Sequence, residues 1–99
     1  PTTYLDVSYQ VEVLELVRNL NSELGITIVM VLHDINLAAR YSDYLAAIKG
    51  GVLFASGTPD EMVTEKNLRD IFEIEAAVYK DPIHGCPYFI PQRTTFGVK

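Results

Sequence analysis

The pattern of apolar positions in the first third of the chain changes from a helical to an extended repeat at Gly25. From Val7 to Leu24, apolar residues recur at steps of three and four, as on one face of an amphipathic helix. Asp6 has the residue type of an N-cap, and Gly25 suits the left-handed position that commonly ends a helix. Residues 26–32 (ITIVMVL) are apolar and mostly β-branched. The pattern predicts a helix followed by a buried core strand.

An imidazole and a carboxylate, His33 and Asp34, follow this predicted strand directly. Ligands of open α/β sheets bind outside the carboxyl ends of the strands, so His33 stands where a ligand-facing side chain is expected. A structural alternative is that His33 closes the strand and bonds a loop while Asp34 caps the next helix. A metal-dependent phosphohydrolase site is disfavoured because it needs further His and Asp ligands, and the other histidine, His84, lies in a distant loop.

Short elements are predicted after this point. A helix begins near Ile35 and ends near Tyr41. Residues 44–48 and 52–55 then flank a Gly-Gly pair, which tolerates the positive φ angles of a tight hairpin turn. The two runs are therefore predicted to pair as an antiparallel hairpin.

Cap and turn signals predict the elements of the last 40 or so residues. Thr58-Pro59-Asp60-Glu61 matches a capping box with proline at the first helical position. Thr64 is the predicted cap of a further helix, whose core side would carry Leu68, Ile71 and Phe72. Residues 76–79 and 88–90 are predicted to form a second hairpin with a longer loop. We expect one domain over residues 1–91 and a frayed tail over residues 92–99.

Composition limits the classes of function. The 99 residues, 48% of them hydrophobic, suffice for one small domain. No run reaches the roughly 18 apolar residues that cross a bilayer, and we expect a cytosolic chain. The single cysteine, Cys86, fits a reducing compartment. A net charge of -5 with scattered basic residues argues against nucleic acid as a partner.

Two weaker constellations have simpler explanations. His84 and Cys86 could give two zinc ligands, but no other Cys or spare His completes a structural site. A Cys86 nucleophile with His84 as its base has poor geometry, with only Gly85 between them. We expect an ordinary turn. The tyrosines could form a stacking surface, but without a basic groove we expect them at the edge of the core; they are Tyr4, Tyr9, Tyr41, Tyr44, Tyr79 and Tyr88.

Three stretches carry a resemblance to a known family. They are Thr2-Thr3-Tyr4-Leu5-Asp6, the run His33-Asp34-Ile35-Asn36-Leu37-Ala38-Ala39-Arg40-Tyr41, and Gly57-Thr58-Pro59-Asp60-Glu61. With these motifs the chain resembles the nucleotide-binding subunit of ABC transporters, in particular the ATPases of importers for iron-siderophore complexes, haem and cobalamin. The resemblance extends from Pro1 to about Pro91. It implies an α/β fold, a partial P-loop NTPase sheet with a parallel core strand and appended antiparallel hairpins.

The resemblance also implies roles for particular residues. Asp6, with Leu5, would belong to the D-loop at the interface of the ATPase dimer, and His33 would be the switch histidine that contacts the γ-phosphate of ATP. A donor at that place can stabilise charge on a transferring phosphoryl group. The intact protein would use ATP and Mg²⁺, would hydrolyse ATP to drive import of a metal chelate, and would lie peripherally on the inner face of the membrane. Its partners would be a transmembrane permease and a second ATPase subunit.

Several family motifs do not occur in the 99 residues. There is no G-x-x-x-x-G-K-[ST] phosphate loop, no Gln loop and no Ser-Gly-Gly signature segment. In the family, the Walker B carboxylates immediately precede the position of Pro1. We therefore expect a carboxy-terminal fragment that binds no ATP or metal by itself, is inactive alone, and self-associates as a homodimer or by segment exchange. The competing interpretation is a self-standing interaction or oligomerisation module without ATPase activity.

Overall fold

The computed structural model describes residues 3–95, and the side chains of residues 7–95. Helices and small antiparallel sheets give the α/β composition that the sequence predicts. The chain divides into two compact units, Pro1–Val31 and Leu32–Lys99. Among the described residues, no helix combines the length and apolar character needed to cross a bilayer. In chain order, the elements are α1 (Thr3–Leu24), α2 (Ile35–Tyr41), β1 (Leu45–Lys49), β2 (Val52–Gly57), α3 (Pro59–Met62), α4 (Glu65–Phe72), β3 (Ile74–Lys80) and β4 (Pro87–Thr94).

The first unit is built on the predicted amphipathic helix, α1. It ends at Leu24 because Gly25 adopts a positive φ of 66°, where a glycine has no Cβ penalty. The Gly25 N–H donates to the Asn21 carbonyl over 3.0 Å. The predicted N-cap at Asp6 is wrong, because the helix begins at Thr3 and Asp6 lies inside it.

Residues 26–32 do not form the predicted core strand. They belong to no ladder in the described part of the chain, and Val29 and Val31 are 91% and 83% exposed. Apolar, β-branched residues make a strand only where a neighbouring strand accepts and donates the backbone hydrogen bonds. The ladders present in residues 3–95 pair β1 with β2 and β3 with β4, both antiparallel, so no parallel neighbour is available.

The second unit begins with α2 and the predicted first hairpin. Helix α2 spans Ile35–Tyr41, as the sequence predicts. Strands β1 and β2 pair antiparallel from Leu45 opposite Gly57 to Lys49 opposite Val52. The Gly50-Gly51 turn has φ angles of 60° and 78°, as a tight hairpin turn requires. The prediction of this hairpin is confirmed.

A capping box joins β2 to α3, as predicted. The Thr58 hydroxyl accepts from the Glu61 N–H over 3.3 Å, and the Glu61 carboxylate accepts from the Thr58 N–H over 2.9 Å. Gly57 makes room for this arrangement, since a Cβ there would lie 2.7 Å from Oε1 of Glu61. Thr64 caps α4 by accepting from the Asn67 N–H over 3.1 Å. Helix α4 ends at Phe72, and its C-cap residue Glu73 adopts a left-handed φ of 59°.

The core of the second unit lies under α4 and the second hairpin. Helix α4 packs on β3, and α2 packs on β4. Leu68 and Ile71 face the core, but Phe72 is 47% exposed, so the prediction for Phe72 is wrong. Strand β4 pairs with β3 as far as Thr94, so residues 92–94 are not frayed. The buried apolar side chains among the described residues of this unit include Ala39, Tyr41, Met62, Val63, Leu68, Ile71, Ala76 and Pro87.

Candidate functional site

His33 lies in a bend immediately before α2, with its side chain exposed. Within residues 3–95, no side chain or backbone group forms a hydrogen bond or ion pair with its imidazole. The bend therefore does not hold the ring through a loop hydrogen bond, which was the structural alternative. Neither ring nitrogen is bonded by a described residue.

Asp34 is the N-cap of α2, as the sequence predicts. Its Oδ1 accepts from the Leu37 N–H over 3.1 Å, and its backbone carbonyl accepts from the Ala38 N–H over 2.9 Å. Asp34 adopts an extended conformation, with φ -91° and ψ 108°, which is usual for an N-cap. The carboxylate is therefore engaged in the helix, and the imidazole of His33 is the available side chain of the pair.

Asn36 fixes the first turn of α2 to the second hairpin. Its Oδ1 accepts from the Phe89 N–H over 2.9 Å, and its Nδ2 donates to the Phe89 carbonyl over 3.3 Å. The two residues are 53 positions apart, and both are half-buried. Asn36 belongs to the stretch that carries the family resemblance, but nothing in the sequence indicates Phe89 as its partner. The only sequence signal was the amide residue type, three positions after His33.

The predicted D-loop residues are not tested by the structure. Leu5 and Asp6 lie in α1 by their backbone, but their side chains fall outside the described residues. Both belong to the first unit, whereas His33 belongs to the second. Their assignment to a dimer interface stays a prediction.

The His84 and Cys86 turn is organised by Asp81. Its Oδ1 accepts from the Ile83 N–H over 2.7 Å, and its Oδ2 lies 3.2 Å from Nδ1 of His84. The Ile83 hydrogen bond, followed by the His84 side chain, lowers the pKa of Asp81 below its usual range. Burial, followed by the Asp81 charge, raises the pKa of the Cys86 thiol. A raised thiol pKa disfavours the reactive thiolate, which agrees with an ordinary turn.

Residues 3–95 contain no group of three or more His, Cys, Asp or Glu side chains that could hold a metal ion. A single exposed imidazole before a capped helix can donate one hydrogen bond or accept one.

The chain is similar to the ATP-binding proteins of several importers. It is 50% identical over 91 residues to a petrobactin import ATP-binding protein of Bacillus anthracis, covering 92% of this chain and 33% of that protein. It is 42% identical over 91 residues to the ferric enterobactin transport ATP-binding protein of Escherichia coli, covering 92% and 34%. The hemin import ATP-binding protein of Bradyrhizobium diazoefficiens is 41% identical over 92 residues, covering 93% and 33%.

The chain thus spans about one third of the length of the curated relatives that it matches. A scan against protein-family models found no match.

Proposed function

We propose that this chain, which is similar to the ATP-binding proteins of petrobactin and hemin importers, is the carboxy-terminal part of an ABC transporter subunit that hydrolyses ATP to drive import of an iron chelate. The observation that carries the proposal is the exposed imidazole of His33, without a described partner, next to a capped and anchored helix.

His33 is proposed to donate a hydrogen bond to the γ-phosphate of ATP. Phosphoryl transfer is catalysed mainly by positioned groups that stabilise the charge on the transferring phosphoryl oxygens. An imidazole N–H suits this role because it can be aimed without burying a permanent charge. Mg²⁺ would accompany ATP in the intact subunit.

The first unit supports two further elements of the proposal. In the intact subunit, residues 26–32 would form a central strand of a parallel sheet, with His33 at its carboxyl end. The exposure of Ile26, Val29 and Val31 in this chain is what such a strand would show without its neighbours. Leu5 and Asp6 would lie at the interface with a second ATPase subunit. Such a pair would work on the inner face of the membrane, docked on a transmembrane permease.

Exposed apolar side chains favour a second candidate function, a self-standing association module. Ile48, Val52 and Leu53 at the tip of the first hairpin are 69%, 65% and 60% exposed. Exposed apolar side chains near unpaired strand edges promote self-association or segment exchange. Sedimentation of the 99-residue chain at micromolar concentration is expected to show a homodimer or a larger species. A compact monomer alone would count against association.

Nucleotide binding separates the two functions. We expect the full-length subunit to bind Mg-ATP with a low-micromolar Kd by calorimetry and to release phosphate. We expect the 99-residue chain, shown to be folded by thermal melting of its circular dichroism, to do neither, because the phosphate loop supplies most contacts to the triphosphate. Tight binding by the chain alone would contradict this account. A gene for the full-length protein without a phosphate loop would favour the association module.

A further inference from the structure

The edge of the second hairpin is closed by a side chain and not by a strand. Strand β4 pairs with β3 on one side only. Along an antiparallel pair, alternate residues direct their backbone N–H and C=O outward. Phe89 is such a residue, because both its N–H and its C=O bond the Asn36 amide, at 2.9 Å and 3.3 Å. The amide group takes the place of a peptide group in a neighbouring strand.

This pair of hydrogen bonds fixes the orientation of α2. An amide that both donates and accepts toward one residue cannot rotate about its axis without losing a bond. Asn36 lies in the first turn of the helix, where Asp34 also holds the Leu37 and Ala38 N–H groups. In the first turn of α2, Asp34 thus bonds backbone groups of the helix itself, and Asn36 bonds the backbone of Phe89 in the second hairpin.

The position of His33 depends on this turn. His33 precedes the N-cap residue Asp34, and no described residue bonds its ring. The backbone that carries the imidazole is therefore oriented on this side by the anchored helix. We propose that Asn36 is a positioning residue that, by fixing α2 to Phe89 of the second hairpin, aims the imidazole of His33 at the γ-phosphate; this inference rests on the proposed function.

Removal of the anchor should affect turnover more than nucleotide affinity. A catalytic group that is misplaced by about 1 Å can cost up to roughly a hundredfold in rate. Asn36→Ala, which leaves the Asp34 cap intact, is expected to lower kcat of the full-length subunit by about tenfold within that bound and to change KM for ATP by less than about twofold.

Asn67→Ala is the matched control. Asn67 is also a half-buried amide at the start of a helix, and its Nδ2 donates to the Met62 carbonyl over 3.0 Å. Its substitution also removes a side-chain bond to the backbone, but it does not touch α2. We expect kcat of Asn67→Ala to stay within about twofold of wild type, since only geometry at His33 should change the rate.

The test combines Asn36→Ala with His33→Ala in the full-length ATPase. If Asn36 acts through His33, Asn36→Ala should lower kcat in the wild-type background and change it by less than about twofold in the His33→Ala background. An equal loss in both backgrounds, or wild-type turnover in Asn36→Ala, would overturn the inference. Should Asn36→Ala not fold, Asn36→Asp keeps the acceptor for the Phe89 N–H, loses the donor, and is judged by the same comparison. If His33→Ala alone keeps wild-type turnover, the proposed role of His33 fails; if the wild-type full-length protein hydrolyses no ATP, the proposed function fails.

Discussion

Residues 26–32 and the hairpin formed by β3 and β4 are both rich in apolar and β-branched or aromatic residues, yet only the hairpin is paired. Strands β3 and β4 are joined by residues 81–86, so each finds its partner nearby in sequence and closing the loop costs little entropy. Residues 26–32 pair with no strand among residues 3–95, and Val29 is 91% exposed. A segment with strand-forming composition thus forms a strand only where the edge of another strand is close enough to pair with it.

Among the substitutions that test this comparison, the largest change in stability is expected in the core of the second unit. Leu68 is 2% exposed, and Leu68→Ala should lower the free energy of unfolding of the chain by about 2–5 kcal/mol through lost burial and the cavity left behind. Urea denaturation measures the change. A loss below about 1 kcal/mol would mean that α4 is not packed as the structure describes.

Val29→Ala tests the unpaired segment, residues 26–32. In the 99-residue chain the substitution should change the free energy of unfolding by less than about 0.5 kcal/mol, because the side chain is exposed. In the full-length subunit, where residues 26–32 are proposed to form a central strand, it should cost about 2 kcal/mol. Equal effects in both proteins would refute that placement.

The capping box formed by Thr58 and Glu61 should contribute less to stability than the buried core. Thr58→Ala removes the hydroxyl that accepts from the Glu61 N–H and should cost about 1 kcal/mol, whereas Thr58→Ser should retain most of the stability. Thermal melting of the two variants, compared with wild type, gives the difference. Identical melting of all three proteins would mean that the capping box contributes nothing measurable to the second unit.

The smallest effect is expected at the turn of the second hairpin. The pKa of Asp81 is lowered in the folded state by the Ile83 N–H and then by His84. The carboxylate therefore contributes stability above its unfolded pKa, and this contribution is lost as the pH falls through the folded pKa. Between about pH 7 and about pH 3, Asp81→Asn should flatten the fall in melting temperature. If the melting temperature of Asp81→Asn falls with pH as steeply as that of the wild type, the lowered pKa of Asp81 is contradicted.

The features predicted from the sequence are those set by a few neighbouring residues. Caps at Asp34, Thr58 and Thr64 and the positive φ at Gly25 depend on side chains within three or four positions of the backbone they serve. The hairpin turn at Gly50 is of the same kind. Such features follow from residue type and spacing alone.

The features that sequence reasoning missed depend on distant parts of the chain. The exposure of Phe72 is decided by how α4 packs on β3, and residues 92–94 are ordered by pairing with β3. The bond between Asn36 and Phe89 joins residues 53 positions apart. For His33 the sequence predicted an end-of-strand position. In the structure the imidazole is exposed, but the residues before it do not form a strand.

The most direct test of the proposed role of His33 is the turnover of His33→Ala in the full-length ATPase, compared with His84→Ala as the matched histidine control. Loss of a donor that acts in the transition state should lower kcat by roughly a hundredfold, or about 3 kcal/mol, with ATP affinity and melting temperature little changed. His84→Ala should keep wild-type turnover. A His33→Ala variant that keeps more than about half of the wild-type kcat would contradict the assignment, because a lost transition-state donor costs far more than a factor of two.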